Sequence, residues 1–136
     1  MRTILVGSAC TCAVAAAILT GCSASNAPGH PAADSCTTWK QGTGGQDLAA
    51  VQADLSQTVT PGGGLWQSEG TTLRKDATAA ALRPPPVSAG PYRTTMKDYA
   101  ASGADQAAGD VGGANAAKKR GNAQMAAVKA ARGGCV

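Results

Sequence analysis

Apolar residues recur at helical spacing in the first half of the chain. Leu48, Val51, Leu55 and Val59 follow one another at steps of 3, 4 and 4, with polar residues between them. This period places one apolar stripe on a helix. The pattern predicts a first helix that begins after Gly44-Gly45 and ends at Pro61.

Three further helices follow, each bounded by proline or glycine. A second is predicted from Leu65 to Leu82, before three prolines; a third begins at Pro91, and a fourth covers Ala114 to Arg132. Their expected inward faces are Trp66, Leu73, Ala77 and Ala80, then Tyr92, Met96, Tyr99 and Gly103, then Ala117, Gly121, Met125, Val128 and Ala131.

Four helices with short connections favour an all-α, antiparallel four-helix bundle. In that topology the first helix starts and the fourth ends at the same pole, where Cys36 and Cys135 would meet. We therefore expect a disulfide that staples the two ends of the domain. Two free thiols, or a cysteine linked to a partner, are the alternatives. No alternating strand pattern of useful length is present.

The N-terminal segment is typical of a secretory signal. Arg2 precedes an uncharged, largely apolar run over residues 3–19, which ends in Leu19-Thr20-Gly21-Cys22. This tetrapeptide resembles the lipobox of bacterial lipoproteins. The resemblance implies cleavage before Cys22, lipidation of Cys22, and a lipid-anchored protein on the extracytoplasmic face of the cell membrane. A membrane-spanning helix, or ordinary cleavage within residues 23–27, are the alternatives.

This interpretation divides the chain into three parts. Residues 1–21 are the signal peptide, 22–35 a flexible tether rich in small residues and proline, and 36–136 the helical domain. From Cys22 onward there are five Leu and six Val but no Ile or Phe, so alanine supplies most of the apolar content. Without Arg2, 11 basic and 8 acidic residues leave a charge of +3, too small to expand the chain. We expect a folded domain of modest stability.

Catalytic and metal-binding motifs are not recognisable. His30 is the only histidine and lies in the tether, and no pair of Cys or His residues has metal-ligand spacing. We therefore expect no enzyme, no metal and no cofactor. The alternative function is a small secreted enzyme with a carboxylate site at Asp98 or Asp105.

Two other features bear on binding. Tyr92, Met96 and Tyr99 share a helix face and would line a small-ligand cavity, although core packing explains the same spacing. A basic cluster is formed by Lys118-Lys119-Arg120, with Lys129 and Arg132 further along the chain. These residues either form a solvated surface or contact anionic lipid. In the second case the protein would be a structural surface protein. The expected partners are the membrane, through lipid on Cys22, and an envelope protein or a small hydrophobic ligand. Nucleic acid is not expected, because no aromatic residues interleave with the charges.

Several of these features also occur together in a loose group of proteins. The features are Cys36-x-x-Trp39, Gly44-Gly45, Leu82 with three prolines, and Tyr92, Met96 and Tyr99. Over residues 36–132 the chain resembles small, exported, Ala-rich helical proteins of high-GC Gram-positive bacteria. The resemblance implies an exported helical domain and assigns no functional residues.

Overall fold

The computed structural model describes residues 31–131 and 135–136, which form helices and no strand. The helices are α1 (Pro31–Gln41), α2 (Thr43–Ser56), α3 (Gly64–Leu82), α4 (Ala89–Ala107) and α5 (Val111–Ala130). The signal peptide, Cys22, His30 and Arg132 lie outside the described residues. Within the described part, no helix is long and apolar enough to cross a membrane.

Helix α1 is an addition to the four helices expected from the sequence. Its first turn covers residues 31–35, which we had assigned to the tether. Pro31 occupies a helix start, where its fixed φ angle is favourable and its missing N–H costs nothing. Asp34 follows in the first turn, where the helix dipole favours a negative charge. Proline, read as a linker signal, here begins a helix.

Helix α2 begins and ends earlier than its apolar stripe predicts. It starts at Thr43, so Gly44 and Gly45 lie inside it, and it ends at Ser56, which leaves Val59 outside. The buried Gly44 lies directly against the indole ring of Trp39, where a Cβ atom would collide with the ring. Gly44 therefore permits a close contact between α1 and α2 and does not break the helix.

The positions of α3, α4 and α5 agree with the apolar periods of the sequence. All of their expected inward residues are buried except Ala131, which lies just past the end of α5. Helix α5 starts at Val111, before the expected Ala114, because the Asp110 carboxylate accepts a hydrogen bond from the Gly113 N–H at 2.9 Å. This N-cap offsets the poor helix propensity of Gly112 and Gly113.

Each helix packs on its neighbour in sequence, with α3 against α4 and α4 against α5 forming the most extensive contacts. At the α3–α4 crossing, Gly70 and Gly103 let the two backbones approach closely. By contrast, no Cα atom of α2 lies within 8 Å of a Cα atom of α5. The two helices meet through side chains: Leu48 and Val51 share the core cluster with Met125 and Val128, and Lys118 donates to the Leu55 carbonyl oxygen. The wider spacing of their backbones leaves a groove on this side of the bundle.

The two cysteines meet at one end of the bundle. Cys36 and Cys135 lie at disulfide-bonding distance, with their Cα atoms 4.9 Å apart, and Cys135 is fully buried. One turn after Cys36, the Trp39 Nε1–H donates to the Arg83 carbonyl oxygen at 2.8 Å, and its ring meets Tyr92 edge-on at 5.8 Å. The guanidinium of Arg83 forms an ion pair with Asp47 at 2.6 Å. The predicted pairing of Cys36 with Cys135 is thus present in the structure.

Candidate functional site

The groove between α2 and α5 is mainly apolar. It encloses a cavity of about 270 Å³. We call it the α2–α5 groove. Its walls are Leu48, Val51, Gln52 and Leu55 from α2 and Asn122, Met125, Ala126 and Lys129 from α5, with Tyr99 of α4 between them.

Tyr99 is held firmly in this position. It is only 3% exposed, and its ring lies against the glycine at position 121, where a side chain would collide with it. Its hydroxyl donates to Asn122 Oδ1 at 2.9 Å. Burial raises the pKa of this hydroxyl, so it stays protonated as a donor at neutral pH. The groove therefore has a fixed aromatic residue between its two helical walls.

The other two residues proposed to line a ligand cavity lie in the core. Tyr92 and Met96 are fully buried within the main hydrophobic cluster and do not line the α2–α5 groove. Burial, with a smaller contribution from the Asp47 charge, raises the pKa of Tyr92 to about 12. Of the three, Tyr99 alone is placed to contact a ligand in the groove.

A second cavity, of about 360 Å³, lies beyond Leu55 and is mainly polar. Asp54 and Glu69 line it, and the Asp76 carboxyl group lies near Asp54, whose Oδ2 atom is buried without a hydrogen-bond partner among the described residues. Burial, then the Asp76 charge, then the Glu69 charge raise the pKa of Asp54. Lys118 reaches the same cavity, but its ammonium group donates to the Leu55 carbonyl oxygen at 3.0 Å. We call this the polar cavity.

The raised pKa of Asp54 predicts a pH-dependent stability. The folded state favours the protonated carboxyl group of Asp54. Protonation therefore stabilises the fold below the ordinary aspartate pKa of 3.8, and this stabilisation is lost as the pH rises through the higher pKa of the folded state. Asp54→Asn should therefore raise the free energy of unfolding at about pH 7, by about 0.5 kcal/mol for a partly exposed like-charge contact, and have little effect at about pH 3. Urea unfolding at both pH values measures this.

Asp98→Asn serves as the contrast for that experiment, because Asp98 accepts hydrogen bonds from Arg120 at 3.3 Å and from Gln124 at 2.9 Å. Its replacement should lower stability at neutral pH or leave it unchanged. An equal gain from both variants would mean that overall charge, and not the contact between Asp54 and Asp76, sets the effect.

The carboxylates that we proposed for an enzyme do not form a pair. Asp98 is engaged with Arg120 and Gln124, and Asp105 lies beside Gly113 at the start of α5. Instead, the structure brings together Asp54, Asp76 and Glu69, which lie on α2 and α3. Among the described residues, no group of three acidic, cysteine or histidine side chains is arranged to hold a metal ion.

The basic cluster is divided among different surfaces. Lys118 faces α2 and Arg120 faces α4, each with a partner inside the protein. Lys119 is exposed, and Lys129 lines the α2–α5 groove. The cluster is therefore not a single basic surface.

Sequence reasoning missed the α2–α5 groove itself. The stripe of Leu48, Val51 and Leu55 predicted a buried face, and only Leu55 showed a departure, being half-buried. One signal was present: Lys129 follows the buried Val128 and lies one turn after Met125, which puts a cation at the border of the apolar face.

The chain matches no protein-family model, no curated protein and no solved structure.

Proposed function

We propose that this chain is a lipid-anchored, extracytoplasmic binding module whose ligand site is the α2–α5 groove. The observation that carries the proposal is the wide spacing of the α2 and α5 backbones, which leaves a cavity over the core residues Leu48, Val51 and Met125. Concave, mostly apolar sites with a few polar groups are typical of small-molecule binding. Cys22 would supply the anchor, and no catalysis is proposed for the groove.

The finer architecture that we propose is an antiparallel four-helix core, α2 to α5, with α1 as an addition at one pole. The order of contacts supports this. Along α3 and α4, Gln106 donates to the Trp66 carbonyl oxygen, and Gly103 meets Gly70 and Arg74. Along α4 and α5, Ser102 donates to the Ala114 carbonyl oxygen and Tyr99 donates to Asn122. In each pair, later residues of one helix meet earlier residues of the other.

The anchor is tested by the intact mass of the protein extracted from membranes. We expect a chain that starts at Cys22 and carries a diacylglycerol, with two alkylatable thiols that appear only after reduction. An intact leader, or cleavage elsewhere without lipid, would contradict the anchored location and leave the groove proposal to be judged separately.

The groove is tested by filling it. Ala126 and Ala127 are adjacent exposed residues of α5, but only Ala126 lines the cavity. With 1-anilinonaphthalene-8-sulfonate as the probe, Ala126→Trp should reduce the fluorescence enhancement about tenfold, because the indole occupies the cavity. Ala127→Trp should leave the enhancement unchanged. If both variants respond like the parent protein, the groove is not the probe's site, and an envelope protein becomes the better partner.

The polar cavity supports a second candidate function, which replaces Asp98 and Asp105 as the alternative carboxylate site. Asp54, whose pKa is raised by burial and by the neighbouring charges of Asp76 and Glu69, lies among carboxyl groups, the kind of environment that distinguishes an acid from a base in general acid–base hydrolysis. Aryl glycosides are a suitable substrate panel, since two carboxyl groups suffice for their hydrolysis. Activity lost in both Asp54→Asn and Asp76→Asn would support this function, and no activity above the blank would end it.

A further inference from the structure

The lining of the α2–α5 groove carries a positive charge and no negative one. Lys129 is the only charged residue among those that line the α2–α5 groove, and Gln52 and Asn122 are neutral. Asn122 already accepts the Tyr99 hydroxyl. Asp47, the acid nearest in sequence to Leu48, is paired with Arg83. Among the described residues, Lys129 has neither an ion pair nor a side-chain hydrogen bond, so its charge is available to an anion.

The position of Lys129 along the groove follows from contacts at the two ends. Lys118 lies beside Leu55, near the end of α2. Beyond α5, Cys135 returns to Cys36 of α1, the helix that packs on α2. Lys129 follows Lys118 by 11 residues, roughly 16 Å along a helix. Lys129 therefore lies toward the end of the groove lined by Leu48, with the apolar side chains extending away from it.

The dimensions of the groove restrict what fits. Leu48 and Leu55 are seven residues apart, roughly 10 Å along α2. The cavity of about 270 Å³ is just below the usual range for drug-sized ligands, about 300–1,000 Å³. A narrow site of this length suits one unbranched alkyl segment better than a two-chain lipid or a broad ring system.

We infer that the ligand of the α2–α5 groove is a single-chain amphiphile with an anionic head group, such as a medium-chain carboxylate. The alkyl chain lies across Leu55 and Ala126, above the buried Leu48, Val51 and Met125, and the head group pairs with the Lys129 ammonium group. This inference rests on the proposed function, because it assigns a ligand class to the same groove.

Three probes with one chain length and different head groups test the ligand class. Decanoate, decanol and decyltrimethylammonium are titrated calorimetrically into the full chain with its disulfide intact, below micelle-forming concentrations. We expect decanoate to bind roughly two- to fivefold more tightly than decanol, as for a solvent-accessible ion pair, and decyltrimethylammonium to bind more weakly than both. Added salt should reduce the preference for decanoate.

Lys129→Gln should remove the preference for decanoate, so that this variant binds decanoate and decanol with similar affinity. Lys119→Gln is the matched control, because Lys119 is an exposed lysine of the same helix that does not line the groove. If it reduces the preference equally, the net charge of the protein, and not the Lys129 contact, explains the selectivity, and the inference fails.

Failure of the inference and failure of the proposed function give different results. Equal binding of decanoate and decanol, unaffected by Lys129→Gln but lost in Ala126→Trp, overturns the anionic class and keeps the groove. Absence of binding by all three probes overturns the inference, and it overturns the proposed function as well only if 1-anilinonaphthalene-8-sulfonate also fails to bind. A dimer in light scattering that dissociates in Ala126→Trp assigns the groove to a second copy of the chain and also overturns the inference.

Discussion

Replacing Cys36 and Cys135 together by serine is expected to lower the free energy of unfolding by about 4–5 kcal/mol. The two cysteines are separated by 99 residues, and in the chain-entropy model closing a loop of about 100 residues removes close to this much free energy from the unfolded state. Small domains have a total stability of about 5–15 kcal/mol, so this loss is a large fraction. The core cluster has four aliphatic side chains larger than alanine, Leu48, Val51, Leu73 and Val128, and is otherwise built from Ala, Met and Tyr.

Urea unfolding of the parent protein and of the double serine variant measures the loss. Dithiothreitol provides the matched control: it should shift the parent toward the variant's midpoint and leave the midpoint of the variant unchanged. A loss below about 1 kcal/mol would contradict the prediction. It would show that the unfolded chain keeps its two ends close without the covalent bond.

The disulfide also bears on the candidate site. Helix α1 packs mainly on α2, and α2 is one wall of the α2–α5 groove. Cys135 is joined to α1 and follows α5, the other wall. The covalent bond therefore limits how far the two walls can separate at the Lys129 end.

The helical period was enough to predict most of the core. Residues such as Leu73, Met96 and Val128 lie inward because spacing of three and four places them on one face. Pro84-Pro85-Pro86 ends α3 in any context, since proline lacks the N–H that a helix interior requires. These local rules act within a single helix and need no tertiary information.

Proline and glycine misled where their role depended on a neighbouring helix. Pro31 was assigned to the tether and Gly44 to the segment before the first helix, although Pro31 begins α1 and Gly44 lies within α2 against the ring of Trp39. A glycine that allows close packing and a glycine that ends a helix look alike in a sequence. Only the position of Trp39 distinguishes them.

The candidate site was less accessible to sequence reasoning than the core. Periodicity specifies which face of a helix turns inward, but not whether two helices distant in sequence come into contact. The wide backbone spacing of α2 and α5 and the meeting of Asp54 with Asp76 both depend on packing through α3 and α4. The pairing of Cys36 with Cys135 was predicted from an even number of helices joined by short connections. The two cysteines do meet, although Cys36 lies in the additional helix α1, which packs on α2.

Gly103→Ala is expected to lower the free energy of unfolding by about 1–2 kcal/mol, the next largest effect after loss of the disulfide. A Cβ atom at Gly103 would lie 2.6 Å from both the Arg74 backbone nitrogen and the Gly70 carbonyl oxygen. Backbone atoms cannot move aside as a flexible side chain can, so α3 and α4 must separate. Overpacking of this kind costs about 1–3 kcal/mol, occasionally more, and the gain of up to about 1 kcal/mol from alanine's helix propensity offsets only part of it.

Gly70→Ala should have a similar effect, because its Cβ would lie 2.7 Å from the Gly103 carbonyl oxygen and from the Ala107 backbone nitrogen. The two changes act on one crossing, so separation of the helices by the first relieves part of the collision from the second. The double variant should therefore lose less than the sum of the two single losses.

Gly64→Ala is the control, since Gly64 is also in α3 but has no heavy atom within 4 Å of the added Cβ. The stability of this variant should be unchanged or slightly higher. Equal losses from Gly64→Ala and Gly103→Ala in urea unfolding would show that glycine is required for backbone conformation, whereas a loss confined to positions 70 and 103 identifies the close α3–α4 crossing as its reason.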